Sequence, residues 1–253
     1  VERLVLVHGS VLGGRGTWGA QRQLAERFEL VVLDRPGFPP NPPVDRIDFD
    51  VDAAWVASLL RPGDHVVGHS YGGVISLLAA ARQPGLVRSL TVIEPPATRV
   101  ASGVPAVAEF VRRGTELWAN GPRHDPEAFL AAFLGAVGSE FRPPSPLPPE
   151  LEQAARALAN ERGPWEADIP LHDLAAAPFP TLVVSGAHHP AFDAICDVLE
   201  RELDAERIVL PGYGHTVQRH PDFNEHLAGF VERAASRRDP NPPSARGERS
   251  PRP

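Results

Sequence analysis

The chain has 253 residues, of which 42% are hydrophobic and 23% charged, and a formal net charge of −7. That length suits one α/β domain carrying an insertion, with enough chain to bury a large core. The composition is that of a soluble globular protein, and the negative charge argues against a nucleic-acid-binding surface. Cys196 is the single cysteine, so an internal disulfide is ruled out; it reads as a small packing residue. All 25 cationic residues are arginine and prolines number 29, a compositional bias that calls for no functional account. No apolar stretch approaches the length of a membrane span. The chain opens at Val1 and contains no methionine, which leaves open a removed leader; the expected compartment is the cytoplasm.

In chain order, the first strand covers residues 3–7 and runs into His8-Gly9-Ser10. Gly13, Gly14 and Gly16 then lead to Trp18, which reads as core packing. A helix is expected over 19–27, a strand over 30–33, a helix over 51–60 and a strand over 65–68. Next comes Gly68-His69-Ser70-Tyr71-Gly72, followed by an Ala-rich helix over 72–82 and a strand over 90–94. Further strands are expected at 181–185 and 207–210, and helices at 193–203 and 223–234. The strands are continuous apolar runs, as in a parallel sheet covered on both faces. Their alternation with helices is the doubly wound pattern.

Residues 97–178 break that alternation. They hold no convincing strand and three helical stretches, 105–120, 126–137 and 149–161, with a proline-rich loop at 142–149. Trp118, Phe129, Phe133, Phe141 and Trp165 are the bulky apolar residues there. Most of them suit ordinary packing, and some suit the lining of a substrate pocket. Residues 237–253 are rich in Arg, Pro, Ser and Asp without apolar periodicity, the composition of a disordered tail.

A serine between two glycines at a strand-to-helix junction has the pattern of a nucleophile elbow. Small flanking residues permit the sharp turn that pushes the hydroxyl out at the sheet's carboxyl edge. A serine hydroxyl is a poor nucleophile and needs a base. His215, in Gly212-Tyr213-Gly214-His215 after the last strand, is the candidate. Together with the His8-Gly9 loop, these motifs resemble the α/β-hydrolase family over nearly the whole chain. The resemblance implies an α/β-hydrolase fold with a core of residues 1–96 and 179–236 and a helical cap at 97–178. The strand hairpin that usually opens the family is absent here, so a wholly parallel sheet of about six strands is expected.

The resemblance also implies the roles at the site. Ser70 is the nucleophile and His215 the base. His8 and His69 are structural fillers. The backbone N–H of Tyr71 and that of Ser10, with Val11 as the alternative, bind the oxyanion. The family's usual acid falls in a Gly-x-x-Asp pattern, but this chain reads Gly186-Ala187-His188-His189. Two carboxylates can substitute. Glu94 stands at the end of a central strand, where a buried carboxylate needs a partner such as His215. Asp193 is the alternative acid, and would otherwise be a helix N-cap. Trp118, Phe129, Phe133 and Trp165 are the expected substrate-binding residues.

No cysteine cluster, H-E-x-x-H or phosphate-binding glycine loop is present, so no metal or cofactor is expected. His188-His189 reads as a loop pair, not as metal ligands. The implied activity is cleavage of a carboxylic ester, thioester or lactone of a small apolar molecule. C–C bond hydrolysis and cofactor-free haloperoxidase-like chemistry are alternatives on the same site. A ligand receptor with little turnover is the alternative from another class. The expected partners are a small-molecule substrate and, at most, a second copy in a homodimer, with neither nucleic acid nor membrane.

Overall fold

A computed structural model describes residues 1–237; the tail expected to be disordered lies outside the described residues apart from Arg237. Its sheet is six-stranded: β1 (Arg3–Val7), β2 (Glu29–Leu33), β3 (Asp64–His69), β4 (Val87–Ile93), β5 (Thr181–Ser185) and β6 (Glu206–Val209). The strand order is β2-β1-β3-β4-β5-β6, and every pairing is parallel. Side chains alternate across each strand. Val5, Val7, Val66, Val92 and Val183 join one core layer. Leu4, Leu6, Val67, Leu182 and Val184 join the other, with Trp18, Phe223 and Phe230.

The helices are α1 (Gly14–Thr17), α2 (Phe49–Leu59), α3 (Tyr71–Arg82), α4 (Pro105–Asn120), α5 (Pro126–Ala136), α6 (Pro149–Ala159), α7 (Leu171–Ala175), α8 (Pro190–Leu203) and α9 (Phe223–Ser236). Four of them, α4, α5, α6 and α8, start on a proline. Proline has a helix-compatible φ and lacks an N–H that would go unpaired there. None of the described helices is long and apolar enough to cross a membrane.

Several expected elements differ in their bounds, and two differ in kind or start for a visible reason. Residues 19–26 wind as a 3₁₀ segment, not an α-helix. That winding eclipses side chains three apart, and it turns Gln21 and Leu24 inward together. Gln21 Nε2 then reaches the Gln218 carbonyl at 2.7 Å and Asn224 Oδ1 at 2.8 Å. Helix α8 starts three residues before Asp193, because His189 caps it: its Nδ1 accepts from the Ala191 N–H at 3.2 Å.

Between β4 and β5, helices α4, α5 and α6 pack around Phe129, Leu130, Leu134 and Leu158. Val11, from the loop after β1, belongs to the same cluster. The insertion is thereby seated against the carboxyl edge of β1.

Candidate active site

The strand order reverses at β1, whose neighbours are β2 and β3. At such a switch point the loops leaving the two central strands diverge and open a crevice at the carboxyl ends. Here those loops are His8-Gly9-Ser10 after β1 and Ser70 after β3.

Ser70 has φ 53° and ψ −126° and stands at the N-terminus of α3. The turn closes with the Ser70 N–H bonded to the Ile93 carbonyl at 2.8 Å and the Gly73 N–H bonded to the Ser70 carbonyl at 2.7 Å. A Cβ at Gly68 would run into Ser76 Oγ and the Gly72 carbonyl. One at Gly72 would run into the carbonyls of Val7 and His8. Only glycine lets the elbow approach β1 so closely. Tyr71 is the first residue of α3, so its N–H has no carbonyl within the helix and stays available to a ligand.

His215 Nε2 lies 2.8 Å from Ser70 Oγ, and its Nδ1 lies 2.7 Å from Glu94 Oε2. Since a carboxylate only accepts, Nδ1–H donates to it, and Nε2 is left to accept the serine O–H. The Phe192 ring stacks on the imidazole, centroids 4.5 Å apart. Glu94 Oε1 accepts the Gly186 N–H at 2.7 Å, and His188 Nδ1 stands 3.1 Å from the same oxygen. Glu94 is fully buried. Burial alone raises its carboxyl pKa, but His188 and His215 outweigh that and hold it at about 2. Burial likewise lowers His188, and the Glu94 carboxylate more than offsets this, so its pKa is raised.

Of the expected acids, the structure therefore brings Glu94 to His215. Glu94 does not end β4 as a strand residue; it follows the strand with φ 44°. Asp193 lies in the first turn of α8, against Ser185 and Arg207. It is neither the partner of His215 nor the helix cap, because His189 occupies the capping position.

His8 and His69 hold backbone. His8 Nδ1–H donates to the Gly9 carbonyl at 2.7 Å and Nε2 accepts the Arg35 N–H at 2.9 Å. His69 Nε2–H donates to the His215 carbonyl at 2.8 Å. Burial first, then Arg35 beside His8 and His215 beside His69, pulls both down to about 3, so they remain neutral.

After Gly9, the Leu12 N–H bonds to the Ser10 carbonyl at 3.0 Å across Val11, whose φ is 75°. This is a strained three-residue γ-turn. Val11, Ser70, Glu94 and Ala187 are four of the five non-glycine residues with positive φ among the described residues. All four ring this site, where strain of about 1–3 kcal/mol each is held by the surrounding fold.

A second buried network sits behind Ser10. Arg35 has no exposed surface. Its Nε bonds Asp52 at 2.9 Å, its Nη2 bonds Glu161 at 2.9 Å and its Nη1 bonds the Gly9 carbonyl at 3.1 Å. Its guanidinium lies over the rings of Phe38 and Tyr71, 4.8 and 4.7 Å from their centroids. Ser10 Oγ donates to the other oxygen of Glu161. A residue from the end of the helical insertion thereby fixes the loop after β1. Sequence reasoning missed Arg35, Glu161, His188 and Phe192 as site residues. Only the Glu and Arg types, rarely buried unpaired, carried any signal, and burial is not written locally.

Two cavities meet at Ser70. A wide one of about 370 Å³ is bordered by Ser70, His215, Phe133, Phe141, Tyr213 and Arg219. A narrow one of about 40 Å³ is bordered by Ser10, Ser70 and Tyr71 and by Phe133, Trp118 and Trp165. Phe129, expected to bind substrate, borders neither. It is fully buried and packs edge-on against Trp118 at 5.3 Å, because it faces the interior of the insertion.

Among the described residues, Glu94, His188 and His215 bring three potential ligand atoms within 4.8 Å of one another. Glu94 and His215 are already joined there by the 2.7 Å hydrogen bond. A metal with bonds of about 2.0–2.2 Å would have to break it.

The chain matches the alpha/beta hydrolase family over residues 4–223 and belongs to it. It is 31% identical over 177 residues to the pimeloyl-[acyl-carrier protein] methyl ester esterase of Aeromonas hydrophila, covering 68% of this chain and 64% of that enzyme. It spans only 55 to 64% of the length of the Aeromonas esterases it matches. Among solved structures, NosK from Streptomyces actuosus superposes with a TM-score of 0.63 at 25% identity, covering 92% of this chain and 99% of NosK. An N-acyl homoserine lactone degrading enzyme superposes with a TM-score of 0.61 at 25% identity, covering 91% and 93%.

Proposed function

We propose that the protein is a serine hydrolase that cleaves a carboxylic ester, thioester or lactone of a small apolar substrate through an acyl-enzyme. The carrying observation is the continuous hydrogen-bonded path from Ser70 through His215 to Glu94, opening onto a cavity. Relatives named for a methyl ester and for a lactone support hydrolysis of a carboxylic ester or lactone.

In this reading Ser70 Oγ attacks the carbonyl carbon while its proton passes to His215 Nε2. Glu94, held ionised, stabilises the imidazolium and fixes its orientation. The oxyanion rests on the N–H groups of Tyr71 and Ser10, at the positive end of α3. Each such donor is worth about 3 kcal/mol in the transition state. The C–O or C–S bond to the leaving group then breaks, and His215 returns the proton to it. Water, deprotonated by His215, attacks the acyl-enzyme and releases the acid, and Ser70 recovers its proton.

The test is steady-state hydrolysis of p-nitrophenyl acetate, with covalent labelling of Ser70 by a small organophosphonate. Sustained turnover and a single label at Ser70 are expected. A single slow event per molecule would instead indicate a ligand receptor, and absence of the label would refute the serine mechanism.

A further inference from the structure

The two cavities differ in which catalytic groups they touch. His215 borders the wide cavity and not the narrow one. Tyr71 borders the narrow cavity and not the wide one, whereas Ser70 and Ser10 border both. In acyl transfer the leaving group must lie beside the histidine that protonates it. The acyl group must therefore extend to the other side of the serine.

Building on the serine-hydrolase reading, we propose that the substrate is an ester of a short, uncharged acyl group. That acyl group occupies the narrow aromatic cavity, and the bulkier alcohol portion lies in the wide one. The narrow cavity, about 40 Å³, is about a tenth the size of the wide one, about 370 Å³, so it suits a short acyl group, acetyl to butyryl, and not a long one. Its far wall is made by Trp118 and Trp165, which meet edge-on at 5.5 Å and 88°. Both residues also border an open surface groove, so they stand between the cavity and that groove. Trp165 is seated flush on α4: a Cβ at Gly114 would come within 2.6 Å of its ring.

Glu161 also borders the narrow cavity. Both its carboxylate oxygens are committed, one to Arg35 and one to Ser10. Arg35 is already shared between Glu161 and Asp52, so an acyl chain ending in a carboxylate would add a third negative group to one cation. The preferred substrate thus differs from an ester whose acyl part is long or acidic.

The experiment compares two isomeric esters of equal hydrophobicity, hexyl acetate and methyl heptanoate, with purified full chain. A pocket that is too short by several methylenes should favour hexyl acetate by about 100-fold or more in kcat/KM. Trp165→Ala should raise kcat/KM for methyl heptanoate at least about 10-fold by opening the wall. Ala136→Leu, which fills the same cavity without removing an aromatic, should lower the ratio of p-nitrophenyl butyrate to acetate hydrolysis about 10-fold. Equal or faster hydrolysis of methyl heptanoate would overturn the proposal, as would failure of both isomers while p-nitrophenyl acetate is turned over. Failure of Ser70 to react with an organophosphonate would instead overturn the hydrolase reading beneath it.

Discussion

Replacing Glu94 by Gln tests the acid assignment with the least change of shape. In the wild type, one carboxylate oxygen accepts the Gly186 N–H and the other accepts His215 Nδ1–H, both at 2.7 Å. A glutamine has only one oxygen. If that oxygen faces Gly186, the NH₂ faces His215. The imidazole must then carry its proton on Nε2, pointing at Ser70, and it can no longer act as a base. If the amide flips, the NH₂ meets the Gly186 N–H donor to donor. That costs about 1–3 kcal/mol for an unsatisfied buried group. Gly186 therefore selects the unproductive tautomer. The lost stabilisation of the imidazolium adds to this, and kcat should fall by a factor on the order of 10⁴, about 5.5 kcal/mol. The assay is steady-state hydrolysis of p-nitrophenyl acetate, with near-UV circular dichroism to verify the fold. Asp193→Asn should keep kcat within about 3-fold of wild type, since Asp193 meets Ser185 and Arg207 and not His215. A folded Glu94→Gln enzyme with more than a tenth of wild-type kcat would refute the assignment. So would an inactive Asp193→Asn enzyme.

Ser70→Ala should leave only the residual rate that oxyanion donors and binding supply, roughly 10³–10⁴ over water, with the thermal transition unchanged; stopped assays at high enzyme concentration measure it. Glu161→Ala should cost about 3 kcal/mol by leaving a buried guanidinium short of one carboxylate, read as a fall in urea midpoint, and should lower kcat more than it raises KM because Ser10 loses its anchor. The Glu94 pKa is lowered from 4.5 to about 2, so its contribution to stability is complete above pH 4.5 and lost as the pH falls toward 2. His188→Gln removes a cation that holds that carboxyl down, so the acid-unfolding midpoint should move to higher pH, measured by far-UV circular dichroism; an unchanged midpoint would refute the coupling. His188 itself has a raised pKa, so its share is present below pH ~6.5 and lost as the pH rises through its folded value.

The parallel sheet was legible because its central strands are buried on both faces and carry apolar runs such as Leu4–Val7, Val66–Val67 and Leu182–Val184. The helix starts at Pro105, Pro126 and Pro149 were equally plain, since proline at the first helical position is a local signal. The elbow at Ser70 and the Gly-flanked His215 were legible for the same reason: tight turns demand glycine within a few residues. What sequence could not decide was which carboxylate meets His215. Glu94 and Asp193 lie 99 residues apart, and both stand near the carboxyl edge of the sheet. The choice fell to the turn after β4, where φ 44° swings the Glu94 side chain to the Gly186 N–H and the His215 imidazole. Nor could sequence place Phe129 or Glu161. Whether a residue of the insertion faces its own core or the cavity depends on how three helices dock over Val11. Glu161 meets Arg35 and Ser10 only because that docking brings positions 126 and 151 residues apart into one buried cluster.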